Sequence, residues 1–301
     1  MKPNLKGTLI LILTAFIWGT AFVAQTAAAG NISAFFFTGS RSVLACVFLF
    51  LFVALREKIR RKNHPQRAPL FEAQTVKAGI LCGIPLCIAS NLQQIGITLY
   101  PQDAAASGRA GFLTATYVLM VAFYTLIKTK RFRPLVLFAG VICMAGIYFL
   151  SISDGLHGIY VSDILILACA FFFAVYILLV DRYGTVDTIK VSCIQFTVCA
   201  LLSLAAAFLF EAPTVSALRS AWFPTLYAGL LSSGVAYTLQ MVGQKYAEPV
   251  IATIVMSLES VFAALSGWLI LSEKLKGREL FGCVLVFAAV ILAQFPERNK
   301  N

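Results

Sequence analysis

Long apolar segments limit what this chain can fold into more than any other feature. Residues 249–272 read PVIATIVMSLESVFAALSGWLILS and contain one charge, Glu259. A helix needs about 20 apolar residues to cross the hydrocarbon of a bilayer. Ten segments have this character, and we expect a membrane helix from each of them: 7–28, 33–55, 75–98, 103–126, 134–152, 160–181, 188–210, 221–243, 248–271 and 279–295. Their Leu, Ala, Phe and Gly content favours helices over barrel strands, which alternate apolar and polar residues.

The composition agrees with a membrane protein. Of the 301 residues, 60% are hydrophobic and 12% are charged, whereas a soluble domain has about 25% charged residues. The net charge is +11, but the basic residues cluster between the apolar segments instead of forming one face. The sequence therefore predicts the lipid bilayer as a partner, and it predicts no nucleic-acid partner.

The distribution of basic residues predicts the orientation. The first apolar run is too long for a typical signal peptide, so we expect it to be the first membrane helix. With the N-terminus in the cytoplasm, eighteen Lys and Arg residues lie on the cytoplasmic side and four on the outer side. The positive-inside bias thus places both termini in the cytoplasm of a multi-pass protein in the cell (inner or plasma) membrane.

The two halves of the sequence resemble each other. The segment 92-LQQIG-96 matches 239-LQMVG-243, and an offset of the second half over the first places Gly140 on Gly282. We expect two five-helix repeats, 1–155 and 156–301. Because five is odd, the repeats have opposite orientations, and inverted repeats of this kind commonly hold a binding site at their interface near the midplane.

Four stretches carry a resemblance to a known family. They are 15-AFIWGTAFV-23, 104-AAASGRAGFLTATYV-118, 162-SDILILACAFFFAVYILLVDR-182 and 258-LESVFAALSGWLILSEKLKGRELFGCVLVFAAVIL-292. The chain resembles the EamA-type ten-helix members of the drug/metabolite transporter superfamily over nearly its whole length. It departs from the family pattern where Ser260 replaces a Pro and where Ser272 precedes Glu273 in place of a Gly.

The resemblance implies a carrier of small metabolites, often amino acids or drug-like amphiphiles, with export as the frequent direction. We therefore expect a secondary active transporter that works by alternating access, with proton coupling as an option. A channel-like uniporter and an intramembrane enzyme or scaffold remain alternatives. The sequence has no Walker A, HExxH, GxSxG or Rossmann motif, so it predicts no enzyme activity, cofactor or metal. It leaves the oligomeric state open.

Three charged residues inside the apolar segments are the first candidates for the site. Glu259 lies near the midplane, where an unpaired charge is costly, and three interpretations are open: proton coupling, substrate contact, or structural pairing. The repeat offset places Tyr117 opposite Glu259. Arg41 and Arg109 either attract an anionic or zwitterionic substrate, pair with Glu259, or extend towards the outer headgroups.

Uncharged polar and aromatic residues complete the candidate set. Those of the third and eighth segments share helix faces, and those of the first and sixth can line a pocket. The residues are Asn91, Gln94, Tyr237, Gln240, Gln244, Trp18 and Tyr176. For each of them, an interhelical hydrogen bond or simple packing is the alternative to a ligand contact.

Overall fold

The computed structural model describes residues 5–63, 70–100, 106–130, 134–151, 160–271, 277–293 and 295, and these form helices joined by short turns, with no strand. The helices are α1 (Leu5–Ala29), α2 (Ala34–Asn63), α3 (Ala73–Leu99), α4 (Ala106–Ala115), α5 (Tyr117–Thr129), α6 (Pro134–Ser151), α7 (Val161–Arg182), α8 (Thr188–Phe210), α9 (Val215–Ser220), α10 (Trp222–Tyr227), α11 (Tyr237–Gln244), α12 (Pro249–Met256), α13 (Leu258–Leu271) and α14 (Gly277–Ala293). A π-helical segment, Ala228–Ala236, joins α10 to α11.

The helical membrane class that the apolar segments predict is confirmed. Seven stretches of the described chain are long and apolar enough to cross a membrane, and α6 and α14 contain shorter apolar helices. Each predicted segment coincides with helix over most of its described residues. The number of ten crossings and the two-repeat layout stay predictions, and the predicted repeat boundary at 155 lies outside the described residues.

Two of the predicted helices are interrupted where the sequence has no proline or glycine. Helix α4 gives way to α5 at Thr116, whose hydroxyl donates to the Leu113 carbonyl at 2.6 Å. Helix α12 gives way to α13 at Ser257, whose hydroxyl donates to the Thr253 carbonyl at 3.0 Å. Such bonds from Ser and Thr to a preceding carbonyl often bend helices. The interruptions come immediately before Tyr117 and Leu258–Glu259.

Small residues allow helix α3 to approach α8 closely. A Cβ atom on Gly79 would come within 2.5 Å of the Ile194 Cβ atom, and one on Gly83 would come within 3.0 Å of the Gln195 Cα atom. Helices in a bilayer associate largely through such close packing. The other extensive pairings join α2 to α8, α6 to α14, α3 to α7, and α1 to α13.

Carboxylates connect α2 and α8 at both of their ends. At one end, Glu211 accepts hydrogen bonds from the Ser33 hydroxyl at 2.6 Å and from the Phe35 and Phe36 amides at 2.9 Å. It thereby satisfies amides of the first turn of α2, which have no partner within the helix.

At the opposite end, Asp187 caps α8 by accepting from the Ile189 and Lys190 amides and also pairs with Arg56 of α2. Burial raises the pKa of Asp187, but the hydrogen bond and charge of Arg56 outweigh it and hold that pKa below its ordinary value. The ammonium of Lys190 lies 3.3 Å from the Glu57 carboxylate. Because α2 and α8 belong to different predicted repeats, these contacts join the two halves.

Candidate functional site

A central cavity lies where helices from both predicted halves meet. About 40 Å³ of it is open to the centre of a water molecule. Its lining residues are Trp18, Phe22, Gln25, Arg41, Gln93, Thr114, Tyr117, Phe173, Tyr176, Ile177, Ser232, Tyr237, Gln240, Met256 and Glu259. Seven of the residues predicted from the sequence are among them: Trp18, Arg41, Tyr117, Tyr176, Tyr237, Gln240 and Glu259.

Glu259 and Tyr117 face each other in this cavity. Their side chains are 5% and 4% exposed, and the Tyr117 hydroxyl donates to Glu259 Oε1 at 3.3 Å. Among the described residues, Tyr117 is the one hydrogen-bond donor to this carboxylate. Each residue closely follows the interruption of its helix, and the repeat offset places the two positions opposite one another.

Arg41 lines the same cavity without an acidic partner among the described residues. It is 4% exposed, and its guanidinium lies 5.6 Å from the centre of the Phe37 ring. No ion pair joins it to Glu259 or to any other described carboxylate. Because its side chain is buried, Arg41 does not extend to the headgroups. It also forms no ion pair with Glu259.

Aromatic side chains form one wall of the cavity. The Trp18 and Tyr237 ring centres are 4.7 Å apart, and those of Tyr176 and Tyr237 are 5.9 Å apart. The Trp18 indole nitrogen donates to the Ser232 carbonyl at 3.3 Å, and Ser232 belongs to the π-helical segment. Turns of this wide type occur frequently at functional sites, and here the segment orients a ring of the wall.

Three predicted residues lie away from the lining. Asn91 donates to the Ser203 hydroxyl at 2.8 Å between α3 and α8, and Gln244 donates to the Ile177 carbonyl at 3.3 Å. Gln94 is fully buried, and neither of its amide atoms has a partner among the described residues. Arg109 is on α4, but its side chain lies outside the described residues.

The lining also contains residues that the sequence interpretation missed. Gln93 lines the cavity in place of its neighbour Gln94, and it donates to the Thr114 hydroxyl at 3.3 Å. Gln25 lines it with an amide oxygen that has no partner in the described part of the chain. The sequence pattern that could have identified both residues is a polar side chain inside an apolar segment. The remaining missed residues are Phe22, Thr114, Phe173, Ile177, Ser232 and Met256.

The described part of the chain contains no group of three or more His, Cys, Asp or Glu side chains that could hold a metal ion. The eight cysteines are free thiols, and all except Cys46 are buried. The polar chemistry of the cavity therefore rests on one carboxylate, one guanidinium, and several amides and hydroxyls.

Known proteins match this chain over nearly its whole length. The sequence model of the EamA-like transporter family matches residues 5–152 and again 161–295. An uncharacterized transporter of Archaeoglobus fulgidus is 29% identical over 298 residues, which are 96% of this chain and 86% of that protein. The uncharacterized transporter YoaV of Bacillus subtilis is 21% identical over 304 residues, 98% of this chain and 99% of its own.

A solved structure shares the fold. It is titled "Crystal structure of protein", superposes with a TM-score of 0.76, and is 20% identical in sequence. The match covers 96% of this chain and 98% of the other chain. At this identity the likeness concerns the fold alone.

Proposed function

This chain belongs to the EamA-like transporter family and is a membrane transporter, and from that premise we propose secondary active transport of a small metabolite by alternating access. The central cavity is the proposed binding site. The resemblance adds amino acids or drug-like amphiphiles as substrates, export as the direction, and the cell membrane as the location.

The contact between Glu259 and Tyr117 carries this proposal. The two residues come from different predicted halves of the chain and meet in the cavity. A site at such an interface can be exposed to either side when one half rocks against the other. The separate matches of the family model to residues 5–152 and 161–295 support the division into halves.

Glu259 is the proposed proton carrier. An ionised carboxylate is costly in apolar surroundings, and Tyr117 supplies a single hydrogen bond to it. A proton, or a cationic group of the substrate, would compensate that charge. Exchange of one for the other on opposite sides of the membrane would couple proton influx to substrate efflux.

The test is transport by the purified protein in proteoliposomes, with a panel of radiolabelled amino acids. We expect Glu259→Gln to abolish accumulation driven by a pH gradient and to weaken substrate binding, while exchange across the membrane persists at saturating substrate. Glu72→Gln is the matched control, because Glu72 is exposed at the start of α3. Accumulation that persists in Glu259→Gln would exclude this residue as the proton carrier.

The same preparation separates a carrier from a channel-like uniporter. A carrier is accelerated by saturating substrate on the opposite side, because the loaded site returns faster than the empty one. We expect this trans-stimulation in the wild-type protein, and its absence would favour the channel alternative.

A further inference from the structure

A second concave surface lies along the first turns of α3 and shares no residue with the central cavity. About 610 Å³ of this groove is open to the centre of a water molecule, compared with about 40 Å³ of the central cavity. Its described lining residues are Phe71, Ala73, Val76, Lys77, Ile80 and Leu81. The five that belong to α3 recur at spacings of three and four, which places them on one face of the helix.

This face of α3 points away from the helix bundle. Gly79 and Gly83 pack against α8 on a different side of the helix. Within the groove, the side chains of Ile80 and Leu81 are 40% and 36% exposed. In a membrane helix, exposed apolar side chains of this kind contact lipid acyl chains, so the groove opens to the bilayer.

Lys77 is the one charged residue in the described lining of the groove. Its side chain is exposed, and no described carboxylate forms an ion pair with it. Glu72, the nearest acid along the chain, is exposed as well but does not line the groove. An ammonium has three hydrogen-bond donors and binds phosphate as a point charge. The groove therefore combines an apolar floor with a single site for an anion.

The position of Lys77 along α3 matches the depth of lipid headgroups. The stretch Ala73–Leu99 is long and apolar enough to cross a membrane, and Lys77 lies four residues, or about 6 Å, from its start. Ile80 and Leu81 come about one turn deeper. A lysine at a helix end can also simply extend to water, but here an open apolar groove lies directly beside it.

From these observations we propose that the groove binds an anionic phospholipid. Its phosphate accepts hydrogen bonds from the Lys77 ammonium, and one acyl chain lies along Val76, Ile80 and Leu81. A zwitterionic phospholipid fits less well, because its own ammonium already compensates its phosphate. The predicted orientation places this end of α3 at the cytoplasmic surface, where anionic lipids attract basic residues. The proposal does not depend on the substrate or on the coupling of transport.

The test measures which lipid occupies the groove. Phe71→Trp introduces a tryptophan into the lining, and the variant is reconstituted in vesicles of phosphatidylcholine that contain brominated phosphatidylglycerol or brominated phosphatidylcholine. Bromine quenches tryptophan fluorescence on contact. The three native tryptophans contribute a background, which the protein without the substitution measures in parallel.

We expect phosphatidylglycerol to bind beside Trp at position 71 about fivefold more tightly than phosphatidylcholine, because one lysine near an anionic surface contributes about this factor. Added Lys77→Gln should reduce the ratio of the two affinities to about one. Added Lys77→Arg should keep most of it, since the charge is retained. An excess of inorganic phosphate should not displace the lipid, because phosphate has no acyl chain for the apolar floor.

Lys58→Gln is the matched control for the loss of a positive charge. Lys58 is exposed on the charged tail of α2 and does not line the groove. We expect the affinity ratio to be the same with and without this substitution. Lys77 is also exposed, so Lys77→Gln should fold, which its elution as a single species in detergent checks.

Four results would overturn the proposal. Equal quenching by the two brominated lipids with Lys77 in place would exclude selection of an anionic lipid. A full preference that persists in folded Lys77→Gln would exclude Lys77 as the headgroup site. Displacement by inorganic phosphate would show an anion site without a lipid. Absence of quenching by either lipid would show that protein covers the groove, either another segment of this chain or a second copy.

Discussion

At the scale of single residues, Tyr117 determines how the buried carboxylate of Glu259 is held. Its hydroxyl is the one described hydrogen-bond donor to that carboxylate. Both side chains are buried. In apolar surroundings a hydrogen bond to a charged group contributes more than one between neutral groups. Tyr117 is thus a positioning residue for the proposed proton carrier.

Replacing Tyr117 with Phe tests this role. We expect transport driven by a pH gradient to slow by about 10-fold, because a hydrogen bond to a charged group contributes about 1.5–3 kcal/mol. Exchange without a pH gradient should change less. Tyr124→Phe is the control, since Tyr124 is exposed on α5. Equal rates in the two variants would show that the hydroxyl has no part in coupling.

The residue scale also shows where sequence interpretation stops. Glu259 and Tyr117 could be matched because the repeat offset aligns them and because a lone acid in an apolar segment requires an explanation. Gln93 and Gln94 are neighbours on α3, about 100° apart around the helix, and only the first lines the cavity. Choosing between them requires the rotation of α3 about its axis, which depends on packing against α7 and α8.

At the scale of helices, close packing at glycines sets the distances between elements. Gly79 and Gly83 of α3 lie directly against α8, whereas Gly140 of α6 has no atom within 4 Å of the position a Cβ would take. The space available for the Cβ atom of an alanine therefore differs between these sites. It collides with α8 at the first two, and at the third it only improves helix propensity.

We expect Gly79→Ala and Gly83→Ala to lower the melting temperature of the detergent-solubilised protein. Gly140→Ala should leave it unchanged or raise it slightly, because Ala stabilises a helix interior by up to about 1 kcal/mol relative to Gly. Thermal unfolding followed by tryptophan fluorescence makes the comparison. A lower melting temperature in all three variants would indicate that the α3–α8 contact is not the cause.

The contact of Asp187 with Arg56 gives a second prediction for this pair of elements. Asn caps helices as well as Asp does, so Asp187→Asn keeps the cap of α8 and removes the ion pair. We expect the variant to be less stable than the wild type at neutral pH.

The direction of the Asp187 pKa shift determines how the stability contributed by this contact depends on pH. The pKa of Asp187 is lower in the folded state than its ordinary value, so its contribution to stability is present above about pH 4 and is lost as the pH falls through the folded-state value. The gap in stability between wild type and Asp187→Asn should therefore close on acidification. A gap that is constant with pH would contradict the role of the ion pair.

The helices themselves were largely predictable, and their irregularities were not. Apolar length marks where a bilayer can be crossed, but α2 continues to Asn63 beyond the predicted end at 55, because its charged tail suits a helix in water. The interruptions at Thr116 and Ser257 are not marked by a Pro or a Gly at either position.

At the scale of the whole molecule, the carboxylates at the two ends of α2 and α8 hold the predicted halves together. Glu211 of the second half caps α2 of the first, and Asp187 pairs with Arg56 at the opposite end. The two helices are therefore antiparallel, as expected if the halves are inverted. The turn near 212 and the start of α3 near 72 should then lie on opposite sides of the membrane.

Labelling of single introduced cysteines checks this arrangement. Ala212→Cys and Glu72→Cys are both at exposed positions, and the native thiols are mostly buried, so the unmodified protein provides the background. With a membrane-impermeant maleimide, Ala212→Cys should react in intact cells and Glu72→Cys only after permeabilisation. Labelling of both cysteines from one side would contradict the inverted topology. Labelling of Glu72→Cys in intact cells, and of Ala212→Cys only after permeabilisation, would show that the orientation in the membrane is opposite to the predicted one.

The cap on α2 can form only after Glu211 has been synthesised, which is long after α2 itself. Phe36 leaves the ribosome roughly 175 residues before Glu211, which at about 5–20 residues per second is a delay of roughly 10–35 s. During that interval the first turn of α2 has no carboxylate to accept from its amides. A nascent chain released before Glu211 would keep this helix end without that cap.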